Sequence, residues 1–275
     1  MNTNWKQKTI NAIMTTQQLE RILIGLGVKK TDSCLVHTSL SSFGFIPGGE
    51  QSIIAALKAV LSTGDLVMPA QTADLSDPKT WEYPPAAARV ADRIKYSMPA
   101  FDPKTTPIHL IGKTPEYFRT LHGTYRSSHP LYSFCAWGKH ARAICACQPF
   151  DLPFGNGSPL AFLYQSMGKV IFLGTDYKSC TALHLAESLV FAPTITEEAP
   201  IKENNRTVWR KFKNVALEKY ADFNQLGAAF EKQQPAAFKT APIFNGEIKV
   251  ISLKELVDFA IKYYQNKEKA ANQKC

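Results

Sequence analysis

The 275-residue chain lacks any apolar run near the roughly 20 residues that a membrane-spanning helix needs. The longest run near the N-terminus, Ile22 to Val28, is short and carries glycines. The opening Met1-Asn2-Thr3-Asn4-Trp5-Lys6 has no hydrophobic signal-peptide core, so a cytoplasmic protein is expected. Paired C-x-x-C spacing is also missing, and Cys145-Ala146-Cys147 is a lone C-x-C. Of the six cysteines, Cys34, Cys135, Cys145 and Cys180 lie in apolar settings, which predicts reduced buried thiols rather than a disulfide framework. The six histidines form neither H-x-x-x-H nor H-E-x-x-H, and no metal site is expected. There is no G-x-S-x-G elbow either, because Gly155-Asn156-Gly157-Ser158-Pro159 misplaces the serine.

Charge is abundant, at a net +9, but a zinc finger, an RRM signature and an Arg-rich arm are all absent. From Asn204 to Cys275 there are 13 Lys or Arg against 7 Asp or Glu, so +6 of the excess sits in the C-terminal quarter. That region reads as solvated helix face and tail. A basic surface suits a polyphosphate cofactor as readily as DNA, and no nucleic-acid or membrane partner is expected.

With 45% hydrophobic residues, the chain can bury a full core. A helix is predicted over about 16–27, with Leu19, Ile22, Leu23 and Leu26 inward. Cys34-Leu35-Val36, Asp65-Leu66-Val67-Met68, Val170 to Gly174 and Glu247 to Ile251 read as strands, and Val208-Trp209 as a further one. A helix with Ile53, Ile54, Leu57, Val60 and Leu61 at helical spacing lies between the first two strands. Short helices are predicted over Pro115 to Leu121 and Gly138 to Cys147. Ser252-Leu253-Lys254-Glu255 is a capping box for a last helix. Interleaved strands and helices indicate an α/β fold of α/β/α layers, formed as one domain over 1–275 with a frayed tail from about 266. Residues 71–107, rich in Pro and Asp and without periodicity, read as a long irregular insertion forming part of an active-site cleft.

The segment that carries chemistry is Thr181-Ala182-Leu183-His184-Leu185-Ala186-Glu187, shortly after the Val170–Gly174 strand. Three helical residues turn the chain by about 300°, so His184 and Glu187 share a face. A carboxylate beside a histidine fixes the ring tautomer and stabilises the imidazolium that forms on proton uptake. That is the hardware of a general base. Upstream, Val36-His37-Thr38-Ser39-Leu40-Ser41-Ser42-Phe43-Gly44 and Gly48-Gly49 set hydroxyls and glycines between a strand and a helix start, where free N–H groups suit an anion. On residues alone, a core histidine with an ordinary helix partner and a capped turn remain open as readings of these two segments.

His37-Thr38-Ser39-Leu40-Ser41-Ser42-Phe43-Gly44, Gly48-Gly49, Arg126-Ser127-Ser128-His129-Pro130, Gly157-Ser158-Pro159 and Thr181 to Glu187 occur in that order. Together, from about residue 14 to about residue 265, they resemble the aminoglycoside 3-N-acetyltransferase (antibiotic N-acetyltransferase) family. The resemblance implies a mixed central sheet, acetyl-CoA as cosubstrate and transfer to the 3-amino group of a 2-deoxystreptamine aminoglycoside. On that reading His184 is the base and Glu187 its orienting carboxylate. CoA is expected on His37, Thr38, Ser39, Leu40 and Ser41, with Arg126, Ser127, His129, Ser133 and Ser158 completing its site. The amine is expected against Asp74, Glu187 and Asp222: residues 71–85 carry Asp74, Asp77 and Glu82 against Lys79, and such a locally acidic cleft can capture a polycation despite the net charge. Three other readings stay open: a non-antibiotic amine as substrate, a CoA-binding protein without catalysis, and a hydrolase pairing Cys180 with His184. Oligomeric state is not legible.

Overall fold

The computed structural model describes residues 10–273. Along the chain run α1 (Thr16–Gly25), β1 (Ser33–Thr38), α2 (Glu50–Val60), β2 (Asp65–Pro69), α3 (Ala88–Ser97) and α4 (Lys113–Arg119). Next come β3 (Tyr125–Arg126), β4 (Phe134–Gly138), α5 (Ala141–Ala146), α6 (Pro159–Gln165), β5 (Lys169–Leu173) and α7 (Leu183–Val190). The chain continues through β6 (Ile195–Glu203), β7 (Arg206–Asn214), α8 (Phe223–Gln233), β8 (Phe238–Ile243), β9 (Gly246–Ser252) and α9 (Leu253–Asn272).

A seven-stranded sheet has the order β3-β4-β2-β1-β5-β9-β8. β1 is parallel to both β2 and β5, whereas the β2–β4, β3–β4, β5–β9 and β8–β9 pairs are antiparallel, so the sheet is mixed. Successive side chains of a strand point to opposite faces. Cys34, Val36, Leu66, Met68, Ile171 and Leu173 accordingly pack with α1 and α2 on one face. Leu35, Val67, Val170 and Phe172 pack with α6, α7, α8 and α9 on the other. The expected α/β/α layering is present, and the alternation puts His37 on the α7 face with Leu35 and Phe172.

Local chemistry fixes several ends. Thr15 and Gln18 form a reciprocal capping box at α1, with bonds of 2.8 and 3.2 Å. Ser252 accepts from Glu255 N at the start of α9, as its capping sequence predicts.

The structure corrects three readings. Residues 71–107 are not wholly irregular, because they contain α3, whose Lys95 pairs with Asp77 at 2.9 Å and with Glu198 of β6. Ile195–Glu203, where no strand is predicted, is β6, which forms a two-stranded hairpin with β7 around the expected Val208-Trp209 strand. That hairpin buries only a few side chains, Ala199 and Phe212 among them, against Leu75, Phe101 and Leu131, so it lacks a strong hydrophobic pattern. The segment read as frayed from 266 is helical to Asn272, continuing α9. No helix among the described residues is long and apolar enough to cross a membrane.

Candidate active site

A cleft of about 460 Å³ opens at the C-terminal ends of the three parallel strands. His37 and Thr38 come from β1, Pro69 and Gln71 from β2 and the residues just after it, and Thr175 from the turn after β5. Ligands of open α/β sheets bind at such carboxyl edges, where strand geometry delivers several loops to one place. Lys178, Ser179, Thr181, His184 and Glu218 close one side, and Leu110, Ile111, Gly112 and Pro115 the other.

His184 and Glu187 meet as their spacing predicts. The Nδ1–Oε2 distance is 2.7 Å, and Glu187 is fully buried while His184 keeps a small opening to the cleft. With Nδ1–H donated to the carboxylate, the lone pair of the neutral ring is on Nε2. The ring is held between Phe154 and Phe223, with centroids 4.9 and 5.3 Å away. Those contacts restrict its rotation. His37 lies across the cleft floor, tilted on Phe172 at 5.7 Å. Burial, and then the neighbouring His184, push its imidazole down to about 3. It is therefore a neutral ring at working pH.

The hydroxyl loop follows β1 directly. Ser39 N donates to Leu173 O at 2.8 Å, Ser39 and Ser41 hydroxyls are 3.1 Å apart, and Ser42 Oγ donates to Gly174 O at 2.8 Å. A Cβ on Gly174 would sit 2.4 Å from that of Ser42, and its φ of +72° is a glycine conformation. The loops after β1 and β5 can approach this closely only with glycine there. The short 3₁₀ helix Leu40–Phe43 begins with Ser42 N bonding Ser39 O, so the amides of Leu40 and Ser41 precede its first helical bond.

The family model of the aminoglycoside 3-N-acetyltransferases matches residues 35–265, which include His184, Glu187 and the hydroxyl loop. The chain belongs to that family. It is an enzyme of the acyltransferase class. The SPbeta prophage-derived aminoglycoside N(3')-acetyltransferase-like protein YokD of Bacillus subtilis (strain 168) is 38% identical over 92% of this chain and 93% of its own. YokD's crystal structure matches with a TM-score of 0.88 over 93% of this chain and 94% of that one. Aminoglycoside N(3)-acetyltransferase VII of Streptomyces paromomycinus is 32% identical over 92% of both chains. The solved structure of AAC-IIIb as a binary complex with CoASH matches at a TM-score of 0.81 and 25% identity, covering 93% of this chain and 98% of that one.

In this acetyltransferase the residues expected to hold CoA fall into two groups. His37 and Thr38 line the cleft, and Ser39, Leu40 and Ser41 continue the same loop. Arg126, Ser127, His129, Ser133 and Ser158 do not line it. The Arg126 guanidinium donates to Ser133 Oγ, Thr106 O and Ala70 O, at 3.0, 2.5 and 2.8 Å, and burial pushes it down to about 10. Its donors are committed to tying the insertion to the sheet. Ser133 Oγ also donates to Ala70 O at 2.7 Å. Ser127 accepts from Phe134 N and donates to Gln148. His129 Nδ1 accepts from Leu131 N and Tyr132 N, so its proton is on Nε2, which donates to Phe150 O at 3.2 Å. Ser158 caps α6 through Ala161 N. A turn rich in hydroxyls and charge looks the same in sequence whether its donors face a ligand or the protein's own carbonyls.

Two further expectations change. Asp222 is buried, and its Oδ2 accepts from Tyr263 Oη at 3.0 Å and from Lys267, so it makes a helix contact rather than a substrate contact. Cys180 is fully buried and its thiol is pushed up to about 12 by desolvation, which removes the thiolate that a Cys–His hydrolase needs. Asp74 lies in a second pocket with Trp81, Glu82 and Tyr83, which shares Leu110 with the cleft, and its Oδ2 is 2.9 Å from His109 Nδ1. Gln71 begins the insertion expected at the cleft, whereas Thr175, Lys178, Ser179, Thr181 and Glu218 were not anticipated as cleft residues. For Thr175 a signal existed: it lies just past the end of a parallel strand.

Proposed function

We propose that this protein transfers the acetyl group of acetyl-CoA to the 3-amino group of a 2-deoxystreptamine aminoglycoside, by direct attack in a ternary complex. The observation that carries the reading is the buried His184–Glu187 pair, bonded through Nδ1, with His184 lining a cleft at the strand ends. The amine attacks in its neutral form; His184 Nε2 takes its proton as the bond to carbon forms, Glu187 stabilises the imidazolium that results, and the imidazolium gives that proton to the departing thiolate. The amine nitrogen bonds to the thioester carbonyl carbon, the carbonyl oxygen becomes an oxyanion, and collapse expels CoA thiolate. The amides of Leu40 and Ser41 or the Thr38 hydroxyl are the donors we assign to that oxyanion. His37, Thr38, Ser39, Leu40 and Ser41 hold the CoA arm. The kinship with AAC-IIIb, solved with CoASH, and with an acetyltransferase named for aminoglycosides supports both substrates.

Asp74, in the pocket that adjoins the cleft at Leu110, is the residue we assign to a substrate ammonium. Glu187 acts on the amine only through His184, because its carboxylate is sealed from the cleft. Thiol release from acetyl-CoA, followed across a panel of aminoglycosides and other amines, tests the assignment. His184→Ala is expected to lower turnover by roughly 10²–10⁴-fold. Wild-type rates in the variant at neutral pH would remove the base. Turnover confined to neutral or anionic amines would keep the chemistry and remove the aminoglycoside.

A further inference from the structure

Three polar oxygens on the elements packed around α7 are buried without a hydrogen-bond partner among the described residues: Glu187 Oε1, Asp222 Oδ1 and Tyr264 Oη. All three belong to side chains no more than 4% exposed. Two are carboxylate acceptors and the third carries a proton, so their requirements are complementary. Tyr264 belongs to α9, which packs along α7, and its ring is stacked on Tyr220 and set against Phe191 at 6.1 and 5.3 Å. That packing fixes where its hydroxyl points. Burial, followed by the Glu187 and Asp222 carboxylates, pushes the phenol far up, so it keeps its proton throughout the working range.

The other titratable groups around this site are few. His184 faces Glu187 from α7, and His37 approaches from β1. Tyr220 precedes α8, and Tyr263 and Lys267 on α9 both donate to Asp222 Oδ2. Asp222 thus has one oxygen neutralised by Lys267 and one left over. A buried carboxylate oxygen left unpaired is expensive, and a donor close by relieves that cost.

We propose that Tyr264 is a positioning residue for the catalytic dyad, its hydroxyl supplying a hydrogen bond that the buried Glu187 and Asp222 carboxylates lack, directly or through one buried water. The bond fixes Glu187 so that its other oxygen stays on His184 Nδ1. It also lowers the carboxylate's pull on the imidazole proton and links the dyad to the Lys267 ion pair on α9. Tyr264 touches neither substrate nor cofactor, and no proton leaves it during turnover.

The inference rests on His184 being the base, and the two readings fail on different variants. His184→Ala tests the base, whereas Tyr264→Phe leaves the dyad intact and removes one oxygen. Tyr264→Phe is expected to lower kcat on the order of 10-fold, the rate equivalent of one hydrogen bond, with the acetyl-CoA KM within about twofold of wild type. The acid limb of kcat/KM should move to higher pH by about half a unit or more, because an unshared Glu187 holds the imidazole proton more strongly. Unchanged kcat and an unmoved acid limb in a folded variant would overturn the proposal. A lower melting temperature with an unmoved limb would also overturn it, because it would leave Tyr264 a packing residue. Lys267→Met, at the half-exposed end of the pair, provides a second variant. It leaves Asp222 unneutralised, draws the Tyr264 proton toward Asp222, and should move the limb in the same direction. If the limb is fixed in that variant as well, Tyr264 does not act through these carboxylates.

Discussion

His129→Asn separates a structural histidine from a ligand-binding one by its pH signature. The wild-type imidazole is buried, and desolvation lowers it from 6.5 to about 4, with only the Phe150 carbonyl opposing. The unfolded chain therefore binds a proton below about 6.5 that the folded chain refuses until about 4. More protons on the unfolded state means that stability falls as pH falls. The stabilisation is complete above 6.5 and is lost as pH descends to the folded value. Over roughly 2.5 units at about 1.36 kcal/mol each, the loss between pH 7 and pH 4 is about 3 kcal/mol. Asparagine can still accept from Leu131 N and Tyr132 N through its side-chain oxygen, but it does not titrate. Guanidinium denaturation of both proteins at pH 7, 5.5 and 4 isolates the effect, because His37 and every carboxylate titrate alike in the two and cancel in the difference. The variant should begin about 1–2 kcal/mol less stable, for the lost Phe150 bond and imperfect packing, and the gap should close or invert by pH 4. Parallel stability curves would refute the reasoning. Acetyl-CoA KM should be unchanged, since the ring faces Tyr132, Phe150 and Phe212 rather than the cleft.

Glu187→Gln should cost less in kcat than His184→Ala, because it keeps a hydrogen-bond acceptor for Nδ1 and removes the charge; equal losses in steady-state kinetics would mean the charge is indispensable. Asp74→Asn should raise the aminoglycoside KM and leave the acetyl-CoA KM nearly unchanged, with both read from the same thiol-release assay. Arg126→Met should destabilise by about 1–3 kcal/mol in a urea melt, since it strands the Thr106 carbonyl and takes one donor each from Ala70 O and Ser133 Oγ, which keep their bond to each other, while CoA affinity by calorimetry stays near wild type. Gly227→Ala should cost about 1–3 kcal/mol and raise both KM values, because the new Cβ would lie 2.1 Å from the Tyr177 ring that supports the cleft-lining Lys178–Ser179 turn.

The sequence by itself determined whatever depends on short separations. The apolar runs Cys34-Leu35-Val36 and Val170 to Leu173 made buried strands, and the spacing of Leu19, Leu23 and Leu26 made α1. The i,i+3 spacing of His184 and Glu187 was enough to join them, because a helix brings those positions together whatever surrounds it. Family motifs read from the same chain identified the hydroxyl loop. Only the tertiary structure decided which donors were free. Arg126, Ser127, His129 and Ser133 sit in a loop as polar as any binding loop, yet the carbonyls of Ala70, Thr106 and Phe150 and the Gln148 side chain take up their donors from distant parts of the chain. Asp222 was an acidic residue of no fixed partner until α9 brought Lys267 and Tyr263 to it. β6 and α3 were hidden because neither buries a full apolar face, and each is held by the Lys95, Asp77 and Glu198 network that only folding assembles. Hydrogen bonds across long separations carry no periodic trace in the sequence, and they are what separates a binding residue from a structural one here.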